Sequence, residues 1–142
     1  MKCFKKGHLK VSDGHRLYYE VCGNPQGIPV LFIHGGPGGG FSDSDKTFFN
    51  PNVYKVVFFD QRGAGRSQPR SSLKANTTDH LVADINCLLN YLKIEKVFLF
   101  GGSWGSTLSL IYSIRYPGKV TGMLLRGIFP GAMALASLPT SP

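Results

Sequence analysis

The sequence predicts an α/β fold, in which helices cover a mostly parallel β-sheet that begins with an antiparallel hairpin. Three observations support this prediction. Continuous apolar runs, typical of strands buried on both faces, recur at 28–33, 54–59, 97–100 and 120–125. Apolar residues at helical spacing occupy 77–92 and the segment that ends at Tyr116. Because strands alternate with helical or short connecting segments, parallel strands with right-handed crossovers are favoured.

The remaining elements follow from turn and capping signals. Residues 7–22 alternate apolar and polar side chains around Ser12-Asp13-Gly14-His15, and Asp-Gly is a strong hairpin signal. The polar stretch 42–50 is predicted to hold one or two helical turns. Asn76, Thr77 and Thr78 are candidate N-caps of the 77–92 helix, with Asp79 in its first turn.

The composition of the chain narrows the classes of protein to which it can belong. The chain has 142 residues, 42% of them hydrophobic, which fits one globular domain. Its formal charge of +8 is scattered apart from lysines in the first ten residues, so neither nucleic acid nor a membrane is expected as a partner. Three cysteines without CxxC spacing predict reduced structural thiols rather than a metal site or a disulfide framework, and a cytoplasmic location. The oligomeric state is left open.

A glycine-serine motif joins a predicted strand to a predicted helix. In Gly101-x-Ser103-x-Gly105 the outer positions lack a Cβ, so strand and helix can approach closely. The serine between them would hold a strained backbone and point its hydroxyl away from the sheet, which is the nucleophile-elbow pattern of the α/β-hydrolases. Ser103 is therefore the candidate nucleophile.

Two other Gly-rich turns also follow strands, and the carboxyl ends of parallel strands meet at one edge. An acyl-transfer enzyme needs N–H donors for the developing oxyanion. Trp104, at the start of the helix, and Gly36, in the loop 34–40, are predicted to supply them. Phosphate-binding alternatives are disfavoured, because Ser103 occupies the middle position of a dinucleotide fingerprint and Gly118-Lys119 is followed by valine.

The general base is missing from the pattern. In this fold class the acid and the histidine follow the nucleophile, and no histidine, aspartate or glutamate follows Ser103 in the 142 residues. His34 is expected to hydrogen-bond locally and fix the shape of its loop. Asp60 and Arg62, at the end of another strand, are expected to pair with loop groups and hold the edge rigid rather than act in catalysis.

Taken together, the motifs resemble a known family. They run in order as His34-Gly35-Gly36-Pro37-Gly38-Gly39-Gly40, Asp60-Gln61-Arg62-Gly63-Ala64-Gly65-Arg66-Ser67, Gly101-Gly102-Ser103-Trp104-Gly105-Ser106-Thr107, Tyr116-Pro117 and Leu125-Arg126-Gly127-Ile128-Phe129. This series is similar to the proline iminopeptidases, serine peptidases of the α/β-hydrolase fold. The resemblance runs from about Gly7 to Phe129 and covers only the N-terminal half of such an enzyme.

The resemblance implies a serine aminopeptidase that releases N-terminal proline from peptides through an acyl-enzyme on Ser103. Gly36 and Trp104 would form the oxyanion site, and no metal or organic cofactor would be needed. The support residues of the substrate edge would be His34, Gly35, Pro37, Gly38, Asp60 and Arg62. Family members continue into a helical cap and then into strands that carry the catalytic aspartate and histidine, so this chain would stop before all three.

Two departures from the family are visible. Ala64 stands where relatives often have cysteine, and the uncharged tail 130–142 does not resemble the start of a cap. The predicted boundaries are thus a hydrolase part at 1–129 and a tail outside the family at 130–142, with the 120–125 strand left as an exposed edge. An esterase or amidase of the same fold and a non-catalytic truncated fragment are the alternative functions.

Overall fold

The computed structural model describes residues 1–36 and 39–127, together with the backbone of 133–136. Seven strands in these residues form one sheet, in the order β1-β2-β4-β3-β5-β6-β7. The strands are β1 (Cys3–Lys10), β2 (Arg16–Gly23), β3 (Ile28–Ile33), β4 (Tyr54–Phe59), β5 (Val97–Gly102), β6 (Val120–Arg126) and β7 (Met133–Ala136). Two α-helices accompany them, α1 (Thr78–Tyr91) and α2 (Trp104–Arg115). Among the described residues, no helix is both long enough and apolar enough to span a bilayer.

The predicted parallel core and N-terminal hairpin are confirmed. Strand β3 pairs in parallel with β4 and β5, and β5 pairs in parallel with β6. Strand β2 is antiparallel to both β1 and β4. The predicted helical turns are a 3₁₀ helix, Asp43–Phe48, and Thr77 caps α1 by accepting the His80 backbone N–H. The carboxyl ends of four parallel strands therefore lie along one edge.

The expectation that β6 would be an open edge is wrong. Strand β7 pairs antiparallel with β6, with Leu124 opposite Leu135 and Arg126 opposite Met133. An apolar strand pairs readily with any segment that can supply backbone hydrogen bonds, and here residues from the predicted tail do so. Residues 128–132 and 137–142 lie outside the described part, so the boundary at 129 stays a prediction.

The prediction of three unpaired cysteines is also wrong. Cys3 and Cys22 form a disulfide, whereas Cys87 is free and exposed. Their sequence separation of 19 residues suggested independent thiols, but the hairpin register puts Cys3 directly opposite Cys22. The hairpin was predictable from the sequence, and pairing its two strands residue by residue would have placed the two cysteines opposite each other. Rules based on the sequence spacing of cysteines alone do not use this information.

The sheet has a core on each face. Helices α1 and α2 cover one face, where Leu31, Leu99, Leu88 and Leu108 are fully buried. The other face is built around aromatic rings of Phe32 and Phe58, packed together with Phe41 and Phe49 from the connection that follows β3. Each fully buried aliphatic or aromatic side chain contributes about 1.5–3 kcal/mol.

The N-terminal lysines have a structural explanation. Strand β1 forms one border of the sheet, and Lys5, Lys6 and Lys10 on it are exposed. Lysines on an edge strand oppose pairing with the edge of another molecule, because the approaching strand would have to desolvate them. The basic cluster therefore protects the edge strand, without a nucleic-acid partner being needed to explain it.

Candidate functional site

Ser103 lies at the turn between β5 and α2, with φ 55° and ψ −117°. Only a minority of non-glycine residues adopt positive φ, because the Cβ is crowded there. The Ser103 backbone N–H donates to the Arg126 carbonyl at 2.8 Å, which fastens the turn to the end of β6. Its side chain makes no capping hydrogen bond to α2 and the residue is exposed. The hydroxyl is thus presented at the carboxyl edge of the sheet.

The two outer glycines of the motif allow this close approach of strand and helix. A Cβ on Gly105 would lie 2.1 Å from the Ile33 carbonyl oxygen, and a Cβ on Gly101 would lie 2.4 Å from the Gly105 oxygen. Real Cβ atoms do not make such contacts with backbone. Any larger residue would therefore push α2 away from β3 and β5 and move Ser103 with it.

The loop after β3 packs directly against this turn. A Cβ on Gly35 would lie 2.4 Å from the Gly102 oxygen and 2.9 Å from the Ser103 Cβ. Gly36 follows with φ 59°, is exposed, and has open space around its Cβ position. On the other side, Trp104 begins α2, where the first N–H groups have no intrahelical acceptor. The structure thus brings Gly36, Ser103 and Trp104 to one edge, while Pro37 and Gly38 lie outside the described residues.

His34 is buried and both of its ring nitrogens are bonded. The Gln61 backbone N–H donates to Nε2 at 2.9 Å, so the proton resides on Nδ1, which donates to the Gly35 carbonyl at 2.9 Å. Burial lowers the pKa of His34 below its ordinary value, and the Gly35 carbonyl opposes that shift. The imidazole is therefore neutral and fixes the loop rather than serving as a free base.

Gln61 connects three parts of the site, and sequence reasoning missed it. Its side-chain amide donates to the His34 carbonyl at 2.8 Å and accepts from the Trp104 indole N–H at 3.1 Å. One buried side chain thus joins the loops after β3 and β4 to the start of α2. Its place between two charged residues at a strand end was the available signal.

Asp60 is fully buried beneath the loop after β4. Its carboxylate accepts from the Phe41 N–H at 2.9 Å, the Arg66 N–H at 2.8 Å and the Arg66 Nε at 3.1 Å. A Cβ on Gly40 or Gly65 would approach this carboxylate to 2.2 or 2.5 Å. The Arg66 guanidinium lies over the rings of Tyr18 and Phe41. Asp60 is therefore enclosed by its own loops.

Arg62 is buried and forms a bidentate ion pair with Asp84 of α1, at 2.7 Å for both hydrogen bonds. It also donates to the Ala75 carbonyl at 2.6 Å and to the Ser12 hydroxyl at 2.9 Å. Burial raises the pKa of Asp84, and the Arg62 guanidinium opposes that shift. Arg62 thus ties the loop after β4 to α1 and to the hairpin.

The other three imidazoles are bonded away from Ser103. The His8 ring donates to the Arg66 carbonyl at 3.0 Å, and the His15 ring donates to the Lys74 carbonyl at 2.9 Å. The His80 ring is hydrogen-bonded to the Thr77 hydroxyl at 2.7 Å. The expected gap in the catalytic set therefore remains within these 142 residues. For metals, the part of the chain that the structure describes offers one cluster, Cys3, Glu20 and Cys22, whose two sulfurs are bonded to each other.

Comparisons with known proteins agree with this geometry. A family model described as alpha/beta hydrolase fold matches residues 28–140. A proline iminopeptidase from Arabidopsis thaliana is 57% identical over 126 residues, which are 89% of this chain and 33% of that protein. The chain therefore spans about a third of the length of that relative, and the sequence-based resemblance to proline iminopeptidases is confirmed.

Two solved structures are similar as well. A proline iminopeptidase-related protein from Thermus thermophilus has a TM-score of 0.74 and 31% identity, covering 88% of this chain and 44% of that one. A carboxylesterase structure from Nitrososphaera gargenis has a TM-score of 0.75 and 28% identity, covering 84% of this chain and 44% of that one. The likeness thus includes both peptidase-related and esterase proteins.

Proposed function

The chain belongs to the α/β-hydrolase family, and from that premise we propose that it supplies the nucleophile and the oxyanion donors of a prolyl aminopeptidase. The substrate is a peptide whose N-terminal residue is proline. The Ser103 oxygen adds to the proline carbonyl, its proton passes to the nitrogen of the departing peptide as the amide bond breaks, and water then hydrolyses the resulting ester and releases proline. No metal or organic cofactor takes part.

The observation that carries this proposal is the strained, exposed Ser103 with the Gly35–Gly36 loop packed against it. Backbone N–H groups of Gly36 and Trp104 are the oxyanion donors in this account. Loss of one such donor typically lowers the rate about 10²-fold or more. His34, Gly35, Pro37, Gly38, Asp60 and Arg62 support the edge, and the bonded partners of His34, Asp60 and Arg62 favour a supporting role over a chemical one.

The proposal assigns the catalytic aspartate and histidine to parts of the enzyme that these 142 residues do not contain. Such enzymes retain only about 10³ to 10⁴-fold acceleration over water when the triad is incomplete. The choice of proline as the first residue of the substrate rests on the relatives that are named proline iminopeptidases.

A chimera tests the proposal. Residues 1–129 would be joined to the part of the Arabidopsis thaliana relative that follows the matched region. We expect the chimera to hydrolyse proline arylamides and Ser103→Ala to lower kcat by about 10⁴-fold or more. An inactive chimera beside an active relative, or unchanged activity in the Ser103→Ala chimera, would show that the assignment is wrong.

An esterase or amidase of the same fold is the second candidate, favoured by the similarity to the carboxylesterase structure. The same chimera separates the two, because an esterase would turn over short acyl esters faster than proline arylamides.

A non-catalytic fragment is the third candidate. Circular dichroism and size-exclusion chromatography of the 142-residue chain address it, since a cooperative melt of a monomer excludes an unfolded remnant.

A further inference from the structure

A cavity of about 540 Å³ opens at the carboxyl edge beside Gly36 and Trp104. Ala64, Leu73 and Leu81 contribute to its wall together with the Trp104 ring. Because Gly36 and Trp104 are the proposed oxyanion donors and also line this cavity, a substrate bound to them lies beside it. The chemistry of the wall indicates which part of the substrate the cavity can bind.

Arg62 lines the cavity but offers no free charge to a ligand. Its guanidinium donates to both carboxylate oxygens of Asp84, to the Ala75 carbonyl and to the Ser12 hydroxyl, and its Nη1 also lies 3.8 Å from Asp13 Oδ2. The Asp84 carboxylate is neutralised by the same ion pair. A substrate carboxylate or ammonium entering the cavity would therefore lose water without gaining a partner charge from this pair.

Three polar side chains of the wall, those of His34, Gln61 and Asn76, also bond to the protein, while Ser71 and Ser72 add two hydroxyl groups to the wall. His34 is neutral with both ring nitrogens bonded, and Gln61 uses its amide for His34 and Trp104. The Asn76 amide N–H₂ donates to the Arg62 and Ser72 carbonyls. What remains available to a ligand is mainly apolar surface, which favours an uncharged group.

The proline end of a substrate does not fit this description, because its free amine is protonated at neutral pH. We propose that the cavity binds the uncharged, apolar side chain of the residue that follows proline, on the leaving-group side of the scissile bond. This inference rests on the proposed function and adds a preference for the second residue of the peptide. An acidic or basic second residue is disfavoured because its charge would be desolvated without compensation.

Trp104 provides a readout that needs no turnover, since it is the single tryptophan of the chain and lies in the cavity wall. Its fluorescence would be followed while the 142-residue chain is titrated with Pro-Leu-amide and, separately, with Pro-Asp-amide. We expect Pro-Leu-amide to bind at least about tenfold more tightly, the factor that burial of an aliphatic side chain supplies. Equal affinities, or tighter binding of Pro-Asp-amide, would overturn the inference.

A matched pair of variants assigns the binding to the cavity. Leu73 is 90% exposed and lines the cavity, whereas Ile114 is 77% exposed on α2 and does not line it. Leu73→Ala should weaken Pro-Leu-amide binding several-fold, and Ile114→Ala should leave it unchanged. Equal effects of the two variants would place the peptide elsewhere on the molecule and overturn the inference.

A third comparison tests the side of the scissile bond. Leu-Pro-amide exchanges the two residues, and an affinity equal to that of Pro-Leu-amide would show that the cavity does not distinguish the leaving-group side. The titrations can be repeated with Ser103→Ala, so their outcome is independent of catalysis. If the chimera fails to hydrolyse proline arylamides but Pro-Leu-amide still binds more tightly than Pro-Asp-amide, the proposed function is wrong while the apolar preference of the cavity stands.

Discussion

Ser103 holds a backbone conformation that its own side chain disfavours. Its φ of 55° and ψ of −117° cost about 1–3 kcal/mol in a non-glycine residue. Ser103→Gly should therefore be more stable than Ser103→Ala by about 1 kcal/mol, because both variants lose the hydroxyl but only glycine relieves the strain. Part of the gain is offset by the larger chain entropy of unfolded glycine. Urea denaturation measures the difference, and equal midpoints for the two variants would contradict the strained turn.

His34 makes stability depend on pH in a defined direction. Its pKa is lowered in the folded chain, mainly by burial, so the unfolded chain binds more protons. The stabilising contribution is complete above the ordinary histidine pKa of about 6.5 and is lost as pH falls from there toward the folded pKa. We expect the free energy of unfolding to fall between about pH 7.5 and 5.5, with a smaller fall in His34→Gln. Identical slopes for the two proteins would exclude His34 as the cause.

The candidate site was predictable from the sequence only where backbone geometry dictates the residue type. Gly101, Ser103 and Gly105 are recognisable because a tight strand-to-helix turn leaves few choices. Gln61 and the Arg62–Asp84 pair were not predictable in this way, since their partners are set by tertiary contacts between distant segments. Pattern reasoning therefore identifies the turn and misses the hydrogen bonds that hold it in place.

At the scale of elements, the approach of α2 to the sheet depends on Gly105. Replacement by alanine gains about 1 kcal/mol of helix propensity but places a Cβ 2.1 Å from the Ile33 carbonyl oxygen. Overpacking of this kind costs about 1–3 kcal/mol or more, so we expect Gly105→Ala to be destabilised overall. Gly102→Ala is the matched control, because its Cβ would have no neighbour within 4 Å. Thermal melts in which both variants match the wild type would refute the close approach.

The elements themselves were largely predictable, for physical reasons that differ along the chain. Strands β3, β4 and β5 are continuous apolar runs, and α1 has helical spacing behind the Thr77 cap. Strand β7 was not predicted, because Met133–Ala136 has no pattern of its own and is ordered as a strand by pairing with β6. Local signals thus suffice for buried elements and fail for a strand that depends on its neighbour.

At the scale of the whole molecule, the disulfide fastens the edge strand to the sheet. It closes a loop with a sequence separation of 19 residues, for which chain entropy predicts about 3 kcal/mol. The free energy of unfolding of Cys3→Ser should be lower than that of the wild type by up to this amount, and a reducing agent should lower that of the wild type similarly. Cys87→Ser should be as stable as the wild type, because Cys87 is free. Denaturation with and without dithiothreitol tests this. A Cys3→Ser variant as stable as Cys87→Ser would mean that the bond does not stabilise the fold.

The chain brings the proposed nucleophile and the proposed oxyanion donors to one edge of the sheet, while its four histidines are hydrogen-bonded to other groups. The family was evident from five spaced motifs, because most of them mark strand ends that the fold requires. The position of β7 and the disulfide depend on pairings across the sheet, and sequence spacing alone does not reveal them. This explains why family and fold class were predictable while the edges of the sheet were not.

The central claim is that Ser103 is the nucleophile. Its most direct test is peptide mass mapping of the chimera after exposure to a fluorophosphonate, which phosphonylates activated serines. The account predicts one adduct, on the peptide that contains Ser103, and no adduct in the Ser103→Ala chimera. An adduct on a different serine, or equal labelling of the two proteins, would contradict it.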